Sequence, residues 1–178
     1  GAVDIKTGIL YVTSWTSPAI AALVKSPESD MDFINDNWSL EGPQGLPLTK
    51  PPWGRITAID LKTGNHLWMI PNGTTPEVVK NHPALRGVEL PETGNKHLGS
   101  ILVTKTLLFV GASRHTYGEP LIRVLDKQTG KLIAIINLPA LATGVPMTYM
   151  LNGKQYIVVA VGAQEHPGEL IALTLPLR

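Results

Sequence analysis

Five histidines, His66, His82, His97, His115 and His166, are the side chains of this 178-residue chain best suited to metal binding or proton transfer. Their spacing supports neither. They lie far apart, and no His-x-x-x-His or His-Glu pair falls on a helical face, so exposed loop histidines are expected. Asp30, Asp32 and Asp36, in Asp30-Met31-Asp32-Phe33-Ile34-Asn35-Asp36, suggest a calcium loop built from hard oxygen ligands. Such a loop needs a glycine at its tight turn and a terminal bidentate glutamate, and this run has neither, so a solvated loop is expected. Ser113-Arg114-His115 sets a hydroxyl and an imidazole two residues apart, where a strand would put both on one face. No carboxylate nearby in sequence orients the imidazole, which favours a loop over a nucleophile and base. A Gly-x-Ser-x-Gly elbow and a glycine-rich phosphate loop are both absent. The chain has no cysteine, which excludes disulfides and thiolate metal sites within it.

Composition narrows the class further. A hydrophobic share of 43% is enough to build a packed core, so wholesale disorder is not expected. The net charge of +1 gives no electrostatic case for nucleic acid or an anionic membrane. No apolar run approaches the roughly 18 residues that a spanning helix needs. The chain begins Gly1-Ala2-Val3 without an initiator methionine, which reads as an internal cut or a processed end.

The elements are mostly strands. Short runs rich in β-branched and other apolar residues, bounded by turn residues, predict strands at 9–13, 55–60, 67–70, 100–104, 107–111, 121–126, 132–137, 147–151, 155–161 and 169–175. Seventeen glycines and 15 prolines are spread along the whole chain, as many turns between short strands require. Helix is expected only at Pro18 to Lys25, behind Ser17, and at Pro76 to Lys80, behind Thr75.

The strands repeat. One unit is a strand, a turn and a strand ending in a small residue: Ser100 to Gly111, Pro146 to Gly162, and Ala2 to Thr13 with Lys6-Thr7-Gly8 as its turn. A second unit alternates with it: Arg55 to Gly64, Ile122 to Lys131, and a shorter copy, Glu169 to Leu173. Phe109 and Ile157 are about 48 residues apart, the period of a four-stranded propeller blade. An all-β partial β-propeller of about three blade equivalents follows, within one domain over 1–178, with long insertions at 15–53 and 71–97.

The turn Asp60-Leu61-Lys62-Thr63-Gly64 has a physical logic. The aspartate accepts backbone N–H bonds, the threonine does so more weakly, and the glycine supplies positive φ. Trp68 follows four residues later, where its ring can pack between blades and its indole N–H can reach a backbone carbonyl. In the second copy Ala134 holds that place, which leaves the contact to something smaller or to Ile133 and Ile135.

The Trp68 segment resembles the tryptophan-docking motif of pyrroloquinoline-quinone (PQQ) dehydrogenases. Ala142 to Tyr149, followed by Asn152 to Val159, is similar to the end of that family's propeller, and Val3 to Val12 and Pro51 to Asp60 resemble further family segments. Within that family, the chain resembles the membrane-type glucose dehydrogenase branch. The resemblance covers nearly the whole chain and implies the C-terminal portion of an eight-bladed, periplasmic propeller. It implies PQQ near the axis, a bridging calcium ion, and an aspartate base that assists hydride transfer from an alcohol or sugar carbon. Calcium ligands and base are expected outside this chain, which would supply no catalytic residue and would be inactive alone. Thr13 matches a strand end where relatives often carry a PQQ-contacting Asn. Leu98-Gly99-Ser100 and Thr143-Gly144 match strand entries near the axis. The implied partners are the remaining blades, on the same polypeptide or another chain, a sugar or alcohol, and a quinone or cytochrome acceptor. A non-catalytic propeller scaffold with the same repeats is the alternative.

Overall fold

The computed structural model describes residues 1–95, 99–111 and 120–175. Strand β1 (Ala2–Asp4) turns back into β2 (Ile9–Trp15). The chain then leaves the sheet for a hairpin of β3 (Ala19–Val24) and β4 (Ile34–Ser39). It returns as β5 (Gly54–Asp60) and β6 (His66–Pro71), which complete an antiparallel sheet in the order β1-β2-β5-β6. A one-turn helix α1 (Glu77–Lys80) lies in the next connection. The second sheet is built from β7 (Ser100–Val103), β8 (Leu107–Gly111), β9 (Leu121–Asp126) and β10 (Leu132–Asn137), again in simple sequential order. The third holds β11 (Met147–Leu151), β12 (Lys154–Ala163) and β13 (His166–Thr174). The alternating units of the sequence are thus the inner and outer strand pairs of successive blades.

The blades stack through their faces, and β8 shows why its sequence is apolar throughout. Leu108 and Val110 enter a core with Tyr11, Ile56, Ala58, Ile101 and Leu125, which joins the first and second sheets. Phe109, on the opposite face, enters a second core with Ile122, Val124, Ile157, Val159 and Val161, which joins the second and third sheets. Period-two alternation in a strand buried on both faces delivers successive side chains to different cores.

Residues 18–25, expected as a helix, form β3 instead. Ala19 to Val24 pairs along its length with Ser39 to Ile34, from Ala19 opposite Ser39 to Val24 opposite Ile34. An isolated short helix is marginal in water, whereas this ladder satisfies the same backbone groups locally. The helical expectation at 76–80 matches α1, with Pro76 at its N-cap.

One turn holds the first two blades together. In the turn after β9, Asp126 Oδ1 accepts from the backbone N–H of Gln128 and Thr129 and from the Thr129 hydroxyl, and Gly130 takes φ +73°. The indole N–H of Trp68 donates to the Lys127 carbonyl at 3.2 Å. Its ring covers Gly130 so closely that a β-carbon there would lie 3.0 Å from the ring. Tyr11 flanks the same ring at a centroid distance of 5.9 Å. Lys127 extends its ammonium group to Asp4 at 2.6 Å and to the Thr104 carbonyl at 3.2 Å, in a pair almost closed to solvent. The bond from Lys127, aided by Thr7, lowers the Asp4 carboxyl from 3.8 to about 2. Asp4-Ile5-Lys6-Thr7-Gly8 is itself a third Asp-x-x-Thr-Gly turn, with Gly8 at φ +73°.

Ala134 lies opposite Val124 as Trp68 lies opposite Ala58, two residues before the respective turn aspartates. Ile133 and Ile135 are more than half exposed, so among the described residues neither takes over the tryptophan's role.

Two outcomes follow. Trp68→Ala should destabilise the protein by about 3–5 kcal/mol in urea unfolding, as loss of a packed aromatic does. Trp68→Phe should cost only about 1 kcal/mol, mainly for the lost indole bond. Equal stabilities for the two variants would show that the ring makes no packed contact. Because the folded Asp4 pKa is depressed, its contribution is present above pH 3.8 and is lost as pH falls toward about 2. Between those limits the protein should lose stability more steeply than Asp4→Asn. Parallel acid-unfolding curves would contradict this.

Candidate functional site

The residues expected to face a ligand gather where the inner strand pairs end. The Thr13 hydroxyl, near the end of β2, donates to the Gly99 carbonyl just ahead of β7, at 3.0 Å and in a buried position. Gly99 permits that approach: a β-carbon there would stand 2.8 Å from the Gly111 carbonyl oxygen and 2.9 Å from Val110 Cγ1. Ser100 lies opposite Gly111 in the β7–β8 ladder. A β-carbon on Gly111 would meet Ser100 Oγ at 3.2 Å and Ala142 Cβ at 3.4 Å. Ala142 in turn bridges to Val161, and the Thr143 N–H donates to the Ala160 carbonyl at 2.8 Å. A continuous patch of small residues therefore runs across the same end of all three blades.

The individual roles differ. The Thr13 hydroxyl proton is committed to Gly99. Ser100 Oγ is buried and has no hydrogen-bond partner among the described residues. Leaving such a group unsatisfied costs free energy, and the Tyr11 hydroxyl in the core between the first two blades is in the same condition. Thr143 is exposed and Gly144 half-buried, and both border the patch from the third blade. Leu98 lies outside the described residues.

Both connections from this end of the first blade are long, and their bases are clamped together. A β-carbon on Gly54 would fall 1.7 Å from the Asn95 carbonyl oxygen, and one on Gly94 only 2.0 Å from the Gly54 carbonyl oxygen, so glycine is required at both. Asn72 N–H donates to Gly54, Asn95 N–H to Asn72, and Trp53 N–H to Thr93. The buried Trp53 ring donates its indole N–H to the Thr49 carbonyl at 2.7 Å. Arg55 donates to Ser14 Oγ at 3.2 Å and to Thr16 Oγ1 at 2.8 Å, fixing the exit from β2. Farther out, the His82 ring bridges to the Gln44 carbonyl at 3.0 Å. Between the two connections lies a cavity of about 780 Å3. Trp15 and Trp38 are partly exposed, at 39% and 48%.

The other chemistry-bearing residues do not converge. His66 is exposed on β6, and His166 bonds Glu169 at 2.9 Å. His97, and Ser113-Arg114-His115, lie outside the described residues. Among the described residues no group of three or more His, Asp or Glu could hold a metal ion, and Asp30, Asp32 and Asp36 form no such group. Sequence reasoning passed over Lys127 and Asp4, although Asp4-x-x-Thr7-Gly8 repeats the turn motif already seen at Asp60. It also passed over the Arg123–Asn72 bond between the first two blades, for which no sequence signal exists.

Two four-stranded sheets and a three-stranded one, stacked through their faces with small residues where their inner strands end, form part of a β-propeller. The family model for the β-propeller domain of PQQ glucose/ethanol/alcohol dehydrogenases matches residues 1–157, and the chain belongs to that family. It is 34% identical over 139 residues to quinoprotein glucose dehydrogenase A of Acinetobacter calcoaceticus, an alignment covering 75% of this chain and 17% of that protein. It is 33% identical over 138 residues to a quinate/shikimate dehydrogenase (quinone) of Acinetobacter baylyi, covering 74% of this chain and 16% of that protein. The crystal structure of a quinohemoprotein alcohol dehydrogenase from Comamonas testosteroni superimposes with a TM-score of 0.60 at 20% identity, over 97% of this chain and 25% of that one. The chain thus spans about one sixth of the length of these curated relatives.

Proposed function

We propose that the protein is a PQQ-dependent dehydrogenase that oxidises an alcohol or a glucose-like sugar, to which this chain contributes three blades and part of the cofactor-pocket wall. The observation that carries the reading is the small-residue patch at the inner-strand ends of a propeller of this family. The patch suits a flat group, since small residues allow near approach of backbone. When bound, the quinone accepts the hydride equivalent released from the alcohol carbon.

In this reading Ser100, Thr143 and Gly144 would form part of the cofactor-pocket wall. Thr13 and Gly99 hold each other and keep the first blade's end in register with the second. The calcium ion, its ligands and the general base belong to parts of the protein outside this chain. The Trp68 contact with Lys127 and Gly130 is the family's tryptophan-docking motif. The remaining blades, on the same polypeptide or on a partner chain, cover the exposed face of the third sheet, where Leu170 is 74% exposed. The reading places the protein with the membrane-type glucose dehydrogenases, in the periplasm, with a quinone or cytochrome as electron acceptor. The relatives' names divide the substrates into neutral sugars and carboxylate-bearing compounds such as quinate.

The test is reconstitution of the intact protein with PQQ and calcium, followed by dye reduction with a panel of alcohols and sugars. Quinone-dependent dye reduction is expected. A protein that neither binds PQQ nor reduces dye would be the non-catalytic scaffold instead.

A further inference from the structure

The two long connections of the first blade run between β4 and β5 and between β6 and β7. Their base is joined by the bond from the Trp53 N–H to Thr93 and by the close packing of Gly54 on Gly94. Away from that base, one hydrogen bond joins them among the described residues, between His82 Nε2 and the Gln44 carbonyl at 3.0 Å.

Both partners are held ready for it. Residues 41–47 close on themselves: the Gly42 N–H donates to Leu46 at 2.7 Å, and Glu41 bridges to Pro47. Near the tip of this loop Gln44 takes φ +59°, a left-handed conformation uncommon for a residue with a side chain. On the other side, the His82 N–H donates to the Val79 carbonyl of α1. The His82 carbonyl accepts from Leu85, in the short 3-10 turn Pro83–Leu85. The histidine backbone is thus fixed from both directions.

The two ring nitrogens have opposite roles. Nδ1 accepts from the Ala84 N–H at 3.2 Å, which caps the turn, so it carries no proton. Nε2 faces a carbonyl, which can only accept, so it carries one. The arrangement therefore requires a neutral imidazole in the Nε2–H form. A second proton would go to Nδ1 and set one N–H against another. The charged ring has to turn away from Ala84, and that turn takes Nε2 off Gln44. Histidine is the side chain whose charge ordinarily changes between pH 5 and 8. The charged groups on the joined elements are Glu41 on one side and Glu77, Lys80 and Arg86 on the other. Glu77 is held by Lys80 at 3.1 Å and by Asn81 at 3.0 Å. Among the described residues no carboxylate forms an ion pair with the His82 ring, so no fixed anion compensates its charge.

We propose that His82 is a pH-sensitive latch between the two connections, closed while its ring is neutral and open once it is protonated. Opening releases the 41–47 loop from the second connection, at the end of the blade that carries the small-residue patch. The latch needs no cofactor and holds whether or not the protein is a dehydrogenase.

Amide hydrogen exchange of the intact protein at pH 8 and pH 5 tests this, read as protection factors so that the pH dependence of the intrinsic rate cancels. Protection over 41–47 and over 84–88 should fall about five- to ten-fold at pH 5, the worth of one hydrogen bond. His82→Asn keeps an oxygen acceptor for the Ala84 N–H, but its shorter side chain leaves Gln44 and has no proton to gain. That variant should show the low protection over 41–47 at both pH values, and should keep protection over 84–88 at both. In the unmodified protein, 15N NMR of the His82 ring at pH 8 should show the Nε2–H tautomer. Protection that does not change with pH, the same pH-dependent fall in His82→Asn, or an Nδ1–H tautomer would each overturn the latch.

Discussion

The contact of Trp68 with the turn Asp126 to Gly130 is the constraint on which the rest of the chain depends. A blade is a strongly twisted sheet of short strands and cannot bury both its faces alone. It must be held to its neighbour at a fixed angle. Here a five-residue turn does this in three ways. Its Lys127 carbonyl accepts the indole N–H, its glycine lies flat under the ring, and its lysine side chain reaches back to Asp4 on the first blade's inner hairpin. Outer and inner strands of one blade are thereby fastened to a single turn of the next.

That fastening also sets the opposite end of the blades. With the first and second sheets in fixed register, Thr13 meets Gly99, and Ser100 lies against Gly111. Ala142 carries the patch to the third sheet. The two long connections then rise from the same end of the first blade, clamped at Gly54 and Gly94. Stability and site are served by opposite ends: ion pair and tryptophan at one, small residues and insertions at the other.

Much of this was legible in the sequence. The strand positions from Ile9 to Leu175 and the pairing of alternating units followed from short apolar runs and from Asp-x-x-Thr-Gly turns, both local signals. The hairpin at 19–39 was not legible, because Ala-Ile-Ala-Ala-Leu-Val suits a helix or a strand and only its partner at 34–39 decides. Lys127 was also missed. Its role comes from Asp4, 123 residues away, and no pattern in either segment announces the pairing. Of the expected site residues, Thr13, Gly99 and Ser100 come together as neighbours, while Thr143 and Gly144 join them only through Ala142. Family resemblance pointed to these positions. It did not show that the Thr13 hydroxyl is already committed to a carbonyl, which only the geometry reveals.

The most direct measurement is hydrogen exchange of the Trp68 indole N–H in the intact protein, observed by 15N NMR and assigned with Trp68→Phe. If the turn at 126–130 holds the blades as described, this proton should exchange only through global unfolding, far more slowly than the indoles of the partly exposed Trp15 and Trp38. Exchange of Trp68 at the rate of those exposed indoles would contradict the junction and, with it, the placement of everything built upon it.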